Sequence, residues 1–278
     1  MYLAHFGLVD RPFGITPDTN YAFSAAAHQE ALNTLLVALQ SGEGFIKITG
    51  EVGTGKTMLC RRFLATLGGE YFSAYLPNPA LAPLPLLLAV ADELGLKLDA
   101  DEQQFQLVKT INQRLLDLAA EGKTVVLCVD EAQTAPLESL EALRLLSNLE
   151  TEKRKLVHVV LFGQPELNQK LADPSVRQLL QRIAFHYHMQ GLRRDELGHY
   201  LTHRLQVAGY RGSPLFSRPA LGRLYRYSRG IPRLVNILAN KALLSAYGEG
   251  KSAVGKRHVD AAARDTEGLK ASTWWFFG

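Results

Sequence analysis

The stretch Gly50-Glu51-Val52-Gly53-Thr54-Gly55-Lys56-Thr57 follows an apolar run, Phe45-Ile46-Lys47-Ile48-Thr49, and leads into a helical pattern that begins Met58-Leu59-Cys60. Strand, glycine-rich loop and helix in that order make a phosphate-binding loop: backbone N–H groups turn toward phosphate oxygens, and the helix adds its positive N-terminal end. Gly50 to Met58 are therefore expected to border a bound nucleotide. Lys56 reaches for the β- and γ-phosphates, and Thr57 sets a hydroxyl on Mg²⁺.

Four more strand patterns, at 71–76, 124–129, 156–162 and 183–189, alternate with helical ones at 83–94, 103–120 and 137–151. Strands separated by helices pair in parallel through right-handed crossovers, so the expectation is an α/β three-layer sandwich around a five-stranded parallel sheet. Beyond residue 191 the patterns are helical only, near 194–208, 217–228, 231–247 and 256–266, which predicts a small all-α domain. The expected boundaries are a nucleotide-binding domain at 1–190, a helical lid at 191–268 and an aromatic tail at 269–278.

The run Val125-Val126-Leu127-Cys128-Val129 ends in Asp130-Glu131. This puts two carboxylates at the C-terminal edge of a buried strand, where open α/β sheets bind their ligands. Asp130 is expected to hold Mg²⁺, and Glu131 to orient and deprotonate the attacking water. At the end of the fourth strand, Gln164 is placed to sense the γ-phosphate or hold that water; a helix-entry turn is the alternative. Asn78, after the second strand, is placed either to restrain Glu131 or simply to make a turn with Pro79.

Arg177 and Arg182, in RQLLQRI, stand five residues apart and so point to different sides of a helical turn. One can face its own subunit and the other a neighbour, as an arginine finger supplied in trans; Arg182 is preferred. Arg233 lies in the first turn of a helix introduced by Gly230-Ile231-Pro232. Dipole preference favours acids there, so a phosphate contact explains it better.

Of 278 residues, 47% are apolar and 21% charged, as in an ordinary soluble globular protein; no apolar run is long enough for a membrane span, and Met1 to Phe13, with Asp10, Arg11 and Pro12, lacks the basic start and apolar block of a leader peptide. The chain is expected to be cytoplasmic. Cys60 and Cys128 suit two buried thiols rather than a disulfide or metal site. The net charge of +4 conceals a balance of −7 over residues 1–175 and +11 over 176–278. That basic third can face nucleotide phosphates, nucleic acid or an anionic membrane surface, or be a solvated face with arginines bridging subunits.

Taken in order, GEVGTGKT, VVLCVDEA, GQPEL, RQLLQRI and GIPR resemble the AAA+ ATPases, with the helical part as lid. The opening MYLAHFGLVDRPFGITPDTNY, the segment DEAQ, LEALRLLSNLETEKRKL before VVLFGQPEL, and GIPRLVN are similar to the ExeA/GspA-type secretion ATPases. Within that group SGEGFIKITGEVGTGKTMLCRRFL and Tyr247-Gly248-Glu249-Gly250 look most like the branch serving the mannose-sensitive haemagglutinin (MSHA) type IV pilus. The resemblance runs from residue 1 to about 268. It implies ATP and Mg²⁺ as cofactors, Gln164 as first sensor, Arg233 as second sensor, and segments around Phe13 and His28 (within 1–40) flanking the adenine. Without it, Phe13 reads as a core anchor and His28 as a helix-start residue. Such secretion ATPases often continue into a membrane span and a peptidoglycan-binding part. This chain stops at Gly278, so peptidoglycan binding is not carried over.

The expected function is a Mg²⁺-dependent ATPase that assembles as a homo-oligomer with nucleotide at the subunit interface. It would serve pilus or secretion assembly proteins, peripherally at the inner membrane. The alternatives are an AAA+ regulator acting on DNA and a nucleotide-bound scaffold that barely hydrolyses, the second disfavoured by the Asp130-Glu131 pair. The tail Trp274-Trp275-Phe276-Phe277 suits a partner or membrane contact, or folding back on the lid.

Overall fold

The computed structural model describes residues 1–15, 19–21, 23, 25–97, 104–148 and 155–266. The aromatic tail, the last residues of the helix expected over 137–151, Gln103 and part of the 1–40 segment lie outside the described residues.

Five strands, β1 (Phe45–Gly50), β2 (Tyr71–Leu76), β3 (Thr124–Val129), β4 (Val157–Gly163) and β5 (Ile183–Met189), form one sheet in the order β2-β3-β4-β1-β5. Every pairing is parallel. β3 and β4 are buried almost throughout, and their Val- and Leu-rich runs lack polar alternation because both faces are covered. Side chains alternate across the strand, so Ile46, Ile48, Val126, Cys128, Val160 and Phe162 point to one face. Helices Ala26–Gln40 and Lys56–Thr66 contribute Leu35, Leu59 and Phe63 to that core. Phe45, Leu127, Val129 and Leu161 point to the other face, with Leu87, Ile111 and Leu143 from helices Pro83–Glu93, Gln104–Ala120 and Leu137–Leu146. The three-layer α/β sandwich expected from the strand-helix alternation is thus present. β4 begins and ends one residue later than its apolar run suggested, and β1 extends to Gly50.

Helices Glu196–Val207, Arg218–Ser228, Pro232–Gly248 and Lys256–Arg264 build a second unit around Leu197, Leu201, Leu224, Leu238 and Val259. Residues 1–27 belong to this unit and not, as the sequence suggested, to the nucleotide-binding domain; Val52–Thr54 is also grouped with it. The physical reason is visible at Arg204. Its guanidinium is buried, donates to the Pro12 carbonyl at 2.6 Å and stacks 4.7 Å from the centre of the Tyr21 ring. Phe13, meanwhile, meets Phe216 edge to face. Phe13 is therefore a core anchor of the helical unit. Between the helices the extended backbone persists in one isolated bridge, Phe216 to Val254.

Cys60 and Cys128 are free and fully buried, and burial pushes the Cys128 thiol well up. His158, in the middle of the sheet, is also buried and bonds through Nδ1 to the Glu43 carbonyl at 2.6 Å. Burial lowers its pKa, with Lys155 adding to the effect and Glu43 opposing it. The unfolded chain therefore takes up this proton first. Its contribution to stability is complete above the ordinary histidine value of about 6.5 and is lost as pH falls from there through the folded value. We expect the unfolding free energy obtained from urea titration to fall less steeply between pH 7 and pH 5 in His158→Asn than in the wild type. The difference in slope should be up to about 1.4 kcal/mol per pH unit; parallel curves would remove His158 as the cause.

Candidate active site

The loop after β1 owes its shape to two glycines in the left-handed region, Gly53 at φ 85° and Gly55 at φ 99°. A side chain at Gly55 would start 2.5 Å from the His28 ring, so the helix that begins at Ala26 closes over the loop. Gly55 caps helix Lys56–Thr66, and the first intrahelical bond runs from Leu59 N–H to the Gly55 carbonyl. The N–H groups of Lys56, Thr57 and Met58 consequently have no acceptor within their helix, which is the arrangement that receives an anion.

The Lys56 side chain is folded back on the loop, its Nζ donating to the Gly50 carbonyl at 2.7 Å and the Glu51 carbonyl at 3.2 Å. Only 5% of this residue is exposed. Burial pushes the ammonium pKa down, and the Glu131 and Asp130 carboxylates pull it back up.

Asp130 directly follows β3 and is buried. Thr57 Oγ1 donates to its Oδ2 at 2.7 Å, the Tyr75 hydroxyl donates to the same oxygen at 3.2 Å, and the Glu131 N–H donates to Oδ1 at 2.9 Å. Burial and the Asp130 charge raise the Tyr75 pKa, so the phenol stays a donor. The role of Tyr75 was missed in the sequence. The only signal was a hydroxyl-bearing residue near the end of the strand paired with β3, where Tyr75 stands opposite Cys128.

Glu131 has a left-handed backbone, φ 49°, unusual for a side-chain-bearing residue. It introduces the short turn Ala132–Thr134. Its Oε2 accepts from Gln133 Nε2 at 2.5 Å and from Gln164 Nε2 at 3.2 Å. Gln133 Oε1 in turn accepts the Gln164 backbone N–H at 2.9 Å, and Lys170 Nζ donates to the carbonyls of Gln133 and Ala135. The residue that holds Glu131 is therefore Gln133, quoted in DEAQ but given no role, together with Gln164. Asn78 does not do so: it is exposed and closes a turn on the Ala80 N–H, 3.1 Å away.

Lys56, Thr57, Asp130, Glu131 and Gln164 thus come together. Arg177 and Arg182 sit at the two ends of helix Arg177–Arg182 and are exposed. Neither bonds to the loop or to the two carboxylates; Arg182 Nη1 reaches Ser147 Oγ at 3.3 Å. Arg233 is exposed as well, but its N–H donates to the Gly53 carbonyl at 3.3 Å, and its Cβ lies where a side chain at Gly53 would go.

The donor set fits a magnesium-bound nucleotide. Thr57 Oγ1 and Asp130 Oδ2 offer a hard cation two oxygens at one corner, and the glycine turn and helix start present backbone N–H groups to an anion, at a turn where a Cβ on Gly55 would collide with the His28 ring.

A family model described as an AAA domain matches residues 39–171. All 278 residues align, at 43% identity, with General secretion pathway protein A of Aeromonas hydrophila. The chain spans 51% of that relative's length. Among solved structures, the ORC2 protein of Aeropyrum pernix in its ADPNP-ADP complexes is 18% identical, with a TM-score of 0.64 over 93% of this chain and 72% of that one. Cdc6p from Pyrobaculum aerophilum is 15% identical, with a TM-score of 0.66 over 90% and 71%. These two share the fold. An AAA domain thus surrounds the glycine loop and the two carboxylates, and all 278 residues of the chain are similar to General secretion pathway protein A.

Proposed function

We propose that the chain hydrolyses ATP with Mg²⁺ and uses the cycle to support the assembly of secretion or type IV (MSHA-like) pilus machinery, peripherally at an inner membrane. The observation that carries the first half is the joint placement of Thr57, Asp130 and Glu131. Thr57 and Asp130 would hold Mg²⁺, which when bound supplies charge neutralisation at the phosphates. Lys56 exchanges the carbonyls of Gly50 and Glu51 for phosphate oxygens, so its present bonds keep the ammonium in place until a nucleotide arrives. Glu131 takes the proton of the attacking water, and Gln133 and Gln164 hold its carboxylate until then. Release of that clasp is the switch. Gln164, tied at once to Glu131 and Gln133, is suited to report the γ-phosphate to both. Arg233, against Gly53, serves as second sensor.

The exposure of Arg177 and Arg182 favours action on a neighbouring copy, in a homo-oligomer with nucleotide at the interface. Likeness to General secretion pathway protein A supports the second half, including partners in the secretion apparatus. A role on DNA draws only on the basic C-terminal balance, since likeness of fold carries no activity.

Two outcomes are expected. In ATP turnover measured across protein concentration, the wild type accelerates with concentration, while Glu131→Gln still binds ATP but loses a factor of about 10² to 10⁴. Mixing Arg182→Ala with Glu131→Gln restores part of the rate. Turnover indifferent to concentration and to both arginines would sink the shared site. Gln133→Ala, by freeing Glu131, should raise turnover in the absence of any partner by about tenfold, the range of a hydrogen bond to a charged group. A fall would mean that the clasp aligns Glu131 for catalysis.

A further inference from the structure

We propose that the helical unit carries a binding site for an anionic phospholipid, made of an apolar cleft and a basic pocket that meet at residues 216–218. The cleft, about 470 Å³, lies between helices Glu196–Val207 and Arg218–Ser228. Its walls are Leu201, Leu205, Tyr210, Leu215, Phe216 and Leu221, and Arg211, Arg218 and His199 stand around it. The pocket, about 290 Å³, is lined by Lys251, Lys256 and Arg257 with Ser217 and Val254. The bridge between Phe216 and Val254 joins the two, since Phe216 lines the first and Val254 the second.

The charges point to an anionic ligand. Several other cations of this unit have carboxylate partners: Arg193 pairs with Asp195 and Glu196, Arg223 with Asp260, and Lys241 with Asp265. Arg211, Arg218, Lys251, Lys256 and Arg257 are exposed and, among the described residues, pair with no carboxylate. The nearby acids are already engaged, Asp195 with Arg193 and Glu249 with His258. Helices Arg218–Ser228 and Lys256–Arg264 also begin side by side with no acid in their first turns, so their dipoles add to the same positive field. Such a cluster is held against its own repulsion most favourably by a phosphate.

The cleft selects the class of phosphate. Free phosphate or a nucleic-acid backbone has no use for a wall of leucines beside it, whereas a glycerophospholipid places acyl chain and phosphate a few bonds apart. Among the described residues no helix is long and apolar enough to cross a membrane, so this is a contact at the surface. The inference shares with the proposed function only the membrane location, and its test needs no ATP, so either can fail alone.

The probe is sedimentation with vesicles of phosphatidylcholine, with and without 30% phosphatidylglycerol (about a third, enough for a strongly negative surface). The wild type should bind only the anionic vesicles. Lys251→Ala/Lys256→Ala/Arg257→Ala should lose affinity by at least about tenfold. Thr202→Trp, placed on the exposed rim of the cleft to fill it without changing charge, should lose several-fold. Both variants should keep the wild-type circular dichroism spectrum and melting temperature, which shows that they fold. Equal binding to neutral vesicles, binding untouched by the triple variant, or binding untouched by Thr202→Trp would each overturn the two-part site. So would displacement of the protein from the anionic vesicles by inorganic phosphate beyond the effect of equal ionic strength, or tighter binding to duplex DNA lost in the same triple variant.

Discussion

The buried carboxylate of Asp130 is the constraint on which the nucleotide-binding unit turns. An unpartnered carboxylate in such surroundings costs several kcal/mol, so the chain must deliver donors to it. It does so from three directions: Thr57 from the loop helix, Tyr75 from β2, and the N–H of the next residue. Those bonds tie the glycine loop to the edge of the sheet through one side chain. They also bring the Thr57 hydroxyl and one oxygen of Asp130 together at the end of β3.

Much of this was legible in the residues. GEVGTGKT between an apolar run and a helical one, and VVLCV ending in Asp130-Glu131, each name a local geometry, and strand-helix alternation then names the sheet. The limits of 71–76, 124–129 and 183–189 coincide with β2, β3 and β5, because polar or turn residues flank each run. Less legible was anything that depends on side chains meeting across the sheet. The hold on Glu131 was sought at Asn78, a strand-end amide, yet Asn78 spends its side chain on its own turn while Gln133, two residues from Glu131, makes the bond. Likewise, residues 1–27 look like a prelude to the glycine loop because they precede it. Contacts such as the burial of Arg204 against Pro12 and Tyr21, and of Phe13 against Phe216, tie them to helices far along the chain.

The two units differ in how they treat charge. In the nucleotide-binding unit Lys56 and Asp130 are buried and satisfied by neutral partners, Lys56 by carbonyls and Asp130 by hydroxyls and an N–H. In the helical unit the excess cations lie outside, where salt screens them within about 10 Å. Interactions of the first kind fix geometry and hardly respond to ionic strength. Those of the second kind change the rate of encounter with anything negatively charged.

The strand order carries a cost in time. β1, which bears the glycine loop, lies between β4 and β5, so Phe45 pairs with Val159 on one side and Ile183 on the other. On a ribosome working at about 5 to 20 residues per second, the loop strand must wait many seconds for either neighbour. The bond from Arg204 to Pro12 spans 192 residues, a still longer delay for the start of the chain. Throughout that interval the apolar faces of β1, β2 and β3 have no complete sheet to join. Speed of synthesis and access to chaperones should therefore govern the yield of this protein more than its final stability does.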